Sequence, residues 1–296
     1  MFARLRALLV RLFGGDASAT FVEDAADLGE GNLHTVPADT RNPYADRATP
    51  QVRSRSLGGV AIGETIDADD SSQDDVAITT PRYLWLLDNG HGSEQSGKRS
   101  PFFEDGTRFE EWEFNRDIVR RMAKRLDKVG VQYYVVVPED EVGSFLRERV
   151  ERANQKDSPL GLSKIFVSIH SNAIGLSNWN NRARGIEVWH YPGSDSGERL
   201  ASVFQRALLK RLPEWVDRGI KSHTPGSRKV FYVLANTLMP AVLTESGFYT
   251  HEEEAKLLMT DRVRQAIADA HVDAILAIEQ EDWREVEVYP KSMQIG

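Results

Sequence analysis

Beginning at Tyr83, the chain switches repeatedly between short apolar runs and longer segments whose apolar residues recur at helical spacing. That alternation marks an α/β layer, in which helices cover a parallel or mixed sheet. Residues 83–88, 132–137, 164–170, 185–191, 230–235 and 241–245 read as strands. Phe114, Ile118, Val119, Met122 and Leu126 form one helical stripe, and Leu200, Val203, Phe204, Leu208 and Leu212 form another. A last helix is expected over about 261–281. The fold class predicted is α/β, with a mostly parallel or mixed central sheet flanked by helices. In such sheets ligands bind at the carboxyl ends of the strands.

Residues 16–80 have a different character. Acidic residues dominate, large apolar residues are sparse, and Gly, Pro, Ser, Thr and Ala fill the intervals. Such a stretch cannot bury enough apolar area to offset its ordering entropy, so an extended or disordered arm is expected, ending near Thr80 and Pro81. Ahead of it, residues 1–15 place Leu5, Leu8, Leu9 and Leu12 on one helical face among Arg4, Arg6 and Arg11. A cleaved secretory signal keeps its apolar stretch free of charge, so this segment reads as a basic amphipathic helix. The expected organisation is therefore 1–15 amphipathic segment, 16–80 arm, 81–285 folded domain and 286–296 tail.

Composition removes several classes of function. The chain has 296 residues and a formal net charge of -8, which argues against a general nucleic-acid binder, since that role needs a basic surface to replace counterions. It has no cysteine, so disulfides and thiolate metal sites are excluded and any metal must be held by His, Asp or Glu. No apolar run approaches the roughly 18 to 20 residues that cross a bilayer.

Polar groups gather at the ends of the predicted strands. The first ends in Asp88-Asn89-Gly90-His91-Gly92, the third in His170-Ser171-Asn172, and the last in Glu245-Ser246-Gly247. Imidazoles and carboxylates are ligands of catalytic zinc, which keeps an open position for water. The helix starting near Phe109 adds Glu110, Glu111 and Glu113 in its first turn. Acidic residues there also complement the helix dipole, and a histidine at a strand end can simply be hydrogen-bonded, so the residues alone leave both readings open.

Four ordered motifs carry a family resemblance: Asp88-Asn89-Gly90-His91-Gly92, Glu111 four residues before Asn115, Ser168-Ile169-His170-Ser171-Asn172-Ala173, and Pro240-Ala241-Val242-Leu243-Thr244-Glu245-Ser246-Gly247-Phe248. Together they resemble the zinc-dependent N-acetylmuramoyl-L-alanine amidases, from the first strand to the last helix. Gly185-Ile186-Glu187-Val188 and Arg218-Gly219-Ile220-Lys221 are similar to the family's pattern for a strand and for a loop beside the substrate groove. The resemblance implies that His91, Glu111 and His170 hold Zn2+, with Glu113 the competitor of Glu111, and that Glu245 is the catalytic carboxylate. It implies peptidoglycan as partner and zinc-activated water as nucleophile, with Glu245 moving the proton from water to the departing L-alanine nitrogen. Asp88 would accept a ring N–H so that the other nitrogen faces the metal. Asn172 would hold either the substrate or its own loop.

Residues 93–109 form a polar, Gly-containing loop between His91 and Glu111, in which Lys98 and Arg99 are candidates to meet peptide-stem carboxylates or to be merely solvated. This loop and the phrase Glu113-Phe114-Asn115-Arg116-Asp117-Ile118 resemble phage-associated family members, and no autoinhibitory acidic helix interrupts the domain. With no secretion signal read and no wall-binding repeat after the last helix, the expectation is a protein made in the cytoplasm. It would act on the wall after lysis, as an endolysin, or as part of a particle. Residues 1–80 would then dock on a virion, an injection particle or a membrane surface. Two other readings remain: a zinc carboxypeptidase using Lys98, Arg99, Arg182, Arg184 or Lys229 for a terminal carboxylate, and a catalytically silent wall-binding component.

Overall fold

The structure, a computed structural model, describes residues 77–142, 146–158, 160–175, 178–224, 230–281 and 283–289, together with two short strands, Thr20–Phe21 and His34–Thr35, that pair antiparallel. The expected helix over 1–15, the rest of the arm up to residue 76, the end of the tail and Lys229 lie outside the described residues.

Strands β1 (Tyr83–Asn89), β2 (Tyr133–Val135), β3 (Ser163–Asn172), β4 (Ile186–His190), β5 (Asp217–Lys221) and β6 (Ala241–Phe248) form one sheet in the order β2-β1-β3-β6-β4-β5. The first four in that order are parallel; β4 and β5 run parallel to each other but antiparallel to β6. Mixed topology is as expected. Burial along the whole of β1 and β6 explains their nearly continuous apolar runs, since helices cover both faces.

Alternation along the strands sorts two cores. Trp85, Leu87, Ile165, Val167, Ile169 and Val242 point to the larger one, closed by helices α1 (Glu111–Val129), α3 (Asp195–Arg211) and α6 (Asp261–Gln280). Leu84, Leu86, Phe166 and Leu243 point to the smaller one, beneath α2 (Leu146–Gln155) and α4 (Tyr232–Asn236). Helix α1 places Phe114, Ile118, Met122 and Leu126 on its buried stripe and stops at Gly130, whose φ of 78° is the left-handed conformation that glycine supplies most readily. Ser194 caps α3 and Thr260 caps α6, each accepting a backbone N–H of the first turn. Helix α5 (Glu252–Leu258) follows β6. Among the described residues no helix is long and apolar enough to cross a membrane.

Two expectations fail. Residues 230–235 are not a strand: Tyr232–Asn236 is a helix whose Val233 and Leu234, with Phe231 before it, pack on the smaller core. A short apolar run does not distinguish a strand from one buried helical turn. Conversely, Arg218-Gly219-Ile220-Lys221, expected as a loop, lies in edge strand β5. Its apolar content is thin because only one neighbour strand pairs with it, and Gly219 takes φ 73° near a register shift.

Candidate metal centre

Period-two alternation explains why polar side chains converge. Below the rim, one face of the sheet carries Leu84, Leu86, Phe166 and Leu243; continuing by twos on β1, β3 and β6 gives Asp88, then Ser168 and His170, then Glu245. Register confirms the row, with Asp88 opposite Ser168, His170 opposite Glu245, and Glu187 of β4 opposite Glu245 on the other side. All of these residues are buried.

Just past β1 the backbone turns at Gly90, where a Cβ would stand 2.0 Å from Cε1 of His170, so only glycine fits. His91 follows at φ 63°, a conformation uncommon outside glycine, and is held there by its surroundings. Its carbonyl accepts from Arg116 Nη1 and Arg149 Nη2, each at 3.1 Å, while the Gly90 carbonyl accepts from Asn115 Nδ2 at 3.0 Å. Asn115 and Arg116 lie in the first turns of α1, so the helix that carries Glu111 also fixes the loop that carries His91.

Glu111 opens α1 and is buried, whereas Glu113 is exposed. His91 Nε2 lies 3.3 Å from Glu111 Oε2, and His170 Nδ1 lies 3.3 Å from Glu111 Oε1. The imidazole centroids are 4.9 Å apart and nearly perpendicular, at 88°. One ligand atom from each of the three residues falls within 4.8 Å of the others. With zinc–ligand bonds of about 2.0–2.1 Å, a tetrahedron has edges of roughly 3.3 Å, so this arrangement fits a small divalent cation. The Ser171 backbone N–H donates to Glu111 Oε1 at 3.0 Å and fixes the carboxylate from below.

The remaining predicted residues take definite places. Asp88 accepts from Ser168 Oγ at 2.6 Å and from Arg149 Nη1 at 2.7 Å, so its link to His170 runs through the serine hydroxyl rather than directly. Glu245 is 1% exposed and lies beside His170 in register. Asn172 donates to Glu187 Oε1 at 2.8 Å and accepts from the Ala173 backbone N–H at 2.7 Å, which favours a role in holding the loop. The Lys98 carbonyl accepts the Glu111 N–H at 3.0 Å, and Arg99 lies 3.6 Å from Glu110.

Sequence reasoning missed Arg149 and Gln95, and it quoted Ser168 and Glu187 within motifs without giving either a role. Glu187 is 2% exposed and ionically satisfied by Arg218 Nε at 2.7 Å, with Trp189 Nε1 donating at 2.9 Å. Period two running back from His170 would have singled out Ser168. Arg149 lies in α2, 61 residues from Asp88, and has no local signal.

Comparison with known proteins agrees with this geometry. The family model described as N-acetylmuramoyl-L-alanine amidase matches residues 86–277. The endolysin of Bacillus phage SPP1 is 29% identical over 203 residues, covering 67% of this chain and 66% of the endolysin. N-acetylmuramoyl-L-alanine amidase LytC of Bacillus subtilis strain 168 is 32% identical over 194 residues, covering 63% of this chain and 34% of LytC. The chain thus spans about two thirds and one third of these two relatives. Among solved structures, it is similar to the N-acetylmuramoyl-L-alanine amidase from Clostridium difficile 630, with 26% identity, a TM-score of 0.55 and coverage of 68% of this chain and 98% of that one. AmiC2 of Nostoc punctiforme gives 28%, 0.54, 68% and 99% for the same measures.

Proposed function

Because this chain belongs to the N-acetylmuramoyl-L-alanine amidase family, we propose that it hydrolyses the amide bond between N-acetylmuramic acid and L-alanine in peptidoglycan, with zinc held by His91, Glu111 and His170. The observation that carries this reading is the convergence of those three buried side chains with Glu245 in the adjacent strand position. Bound there, zinc would supply a Lewis acid that lowers the pKa of water to about 7 and polarises the amide carbonyl. Glu245 takes up the water's proton at its carboxylate and returns it to the L-alanine nitrogen, which would otherwise leave as a poor anion. Its position beside His170 in the sheet suits that exchange.

Lys98 and Arg99 remain proposed contacts for stem carboxylates, with Arg99 having to leave Glu110 to make them. Residues 1–80 are proposed to dock the enzyme on a virion, an injection particle or a membrane surface, a reading supported by their composition. Unchanged whole-cell lysis and particle association after deletion of that segment would remove it.

Digestion of purified peptidoglycan, with and without chelator, followed by mass analysis of the fragments, tests the activity. Intact stems bearing a free N-terminal L-alanine, lost when the metal is stripped, are expected. Release of terminal D-alanine would make the protein a carboxypeptidase, and no release at all would make it a silent wall-binding module.

A further inference from the structure

We propose that Ser168, Asp88 and Arg149 are positioning residues that fix the tautomer of His170, so that it meets the metal through Nδ1 while His91 does so through Nε2. This inference rests on the metal reading above and adds to it which nitrogen each histidine offers and what dictates the choice.

The argument is an accounting of protons. Arg149 is 2% exposed in α2 and, like arginines generally, keeps its charge; its Nη1 donates to Asp88 Oδ1 at 2.7 Å. Asp88 is fully buried, and its carboxylate, paired with that guanidinium, accepts. The hydroxyl of Ser168, 2.6 Å from Asp88 Oδ2, must therefore donate its single proton to the carboxylate. Its oxygen is then left to accept, and the group 3.0 Å away is His170 Nε2, which must carry the ring proton. With a cation held between His170 and Glu111, Nδ1 is thereby the unprotonated nitrogen, and it is the one that faces Glu111 at 3.3 Å.

On the other histidine the roles are reversed. His91 Nδ1 lies 2.6 Å from Gln95 Oε1, an acceptor, which places the proton on Nδ1 and presents Nε2 to Glu111. Arg149 ties the two halves together, since Nη1 also donates to the Asn89 carbonyl and Nη2 to the His91 carbonyl, both at 3.1 Å. One guanidinium thus references both imidazoles to the same point in α2.

The chain has a direction, and an isosteric change reverses it. In Asp88→Asn the amide oxygen is drawn to Arg149, so its NH2 faces Ser168 and donates. Ser168 then donates to His170 Nε2, which forces the proton onto Nδ1, toward the metal. Partners of ligating histidines are typically worth about 10- to 100-fold in metal affinity.

The test uses the full chain in wild-type, Asp88→Asn and Ser168→Ala forms. Zinc affinity is read by competition with a chromophoric chelator, zinc-free folding by thermal melting, and the His170 tautomer by long-range 15N–1H NMR of the zinc-loaded wild type. Asp88→Asn is expected to weaken zinc binding about 10- to 100-fold while the zinc-free protein still melts cooperatively. Ser168→Ala should weaken it less, because it removes the constraint without imposing the opposite one. Wild type with the ring proton on His170 Nδ1, or both variants binding zinc within threefold of wild type, overturns the proposal. Should Asp88→Asn not fold, the wild-type NMR tautomer and Ser168→Ala still decide. A wild type that binds no zinc sinks the metal reading, whereas tight wild-type binding with unaffected variants sinks this inference alone.

Discussion

His271 and His170 are both buried against the central sheet, on opposite faces, and only one of them faces the candidate metal centre. On the face beneath α1, α3 and α6, His271 lies within the larger core; Nδ1 is 2.7 Å from the Ile267 carbonyl and Nε2 is 2.9 Å from Thr244 Oγ1, so both nitrogens are engaged inside the fold. On the face where apolar rows give way to Asp88, Ser168 and Glu245, His170 commits one nitrogen to Ser168 and turns the other to Glu111. What distinguishes an inert imidazole from one placed to ligate is where the second nitrogen points; burial is common to both. Alternating residues on the same strands thereby keep cohesion on one side and chemistry on the other.

That separation can be challenged directly. The largest effect is expected for Glu245→Gln, which should lower kcat by about 10²- to 10⁴-fold while zinc content, read by atomic absorption, stays at the wild-type level; near-normal turnover would take Glu245 out of the mechanism. On the opposite face, Ile267→Ala should cost about 2–5 kcal/mol in denaturant unfolding, because Ile267 is fully buried, yet leave the zinc affinity of the folded protein unchanged. A parallel fall in zinc affinity would show that the faces are coupled.

A pH experiment probes the inert histidine. Burial lowers the His271 pKa from 6.5 to about 4, so the fold favours its neutral form. The unfolded chain gains its proton below pH 6.5, hence the stabilisation is complete above that value and is lost as pH falls from 6.5 to about 4. At about 1.4 kcal/mol per unit this amounts to roughly 3 kcal/mol. Unfolding free energies measured across that window should fall more steeply for wild type than for His271→Gln, and equal slopes would refute the assignment. The smallest effect is expected for exposed Glu113→Ala, within about 0.5 kcal/mol in stability and without change in zinc affinity, in contrast to Glu111→Ala, whose zinc binding should collapse.

How far the sequence could be read follows from range. As candidates, His91, His170 and Glu245 were legible because each ends a strand whose apolar run is itself visible, and Glu111 because it opens a strongly striped helix; their roles came only from the family resemblance. The choice of Glu111 over Glu113 rested on the resemblance alone, since both lie in the first turn and only the packing of α1 against the rim buries one and exposes the other. Arg149 was invisible for a stronger reason: its partners Asp88, Asn89 and His91 lie about sixty residues earlier and meet it only once α2 packs on the sheet. The misread segment 230–235 and the missed strand β5 are both short elements at the margin of the sheet, where tertiary contacts outweigh local pattern.

The segment joining His91 to Glu111 is clasped near its base: Ser100 N–H donates to the Phe109 carbonyl at 3.0 Å, Phe109 N–H to Ser100 Oγ at 2.9 Å, and Arg99 and Glu110 form a β-bridge. Beyond the clasp the chain makes a separate turn, closed from Phe103 N–H to the Thr107 carbonyl at 2.8 Å. Each doubling of a flexible loop adds only about 0.6 kcal/mol of closure entropy. Insertions at that turn therefore leave the two ends standing where they are, and the outline of the protein next to its candidate site is open to redesign or evolutionary drift at almost no thermodynamic penalty.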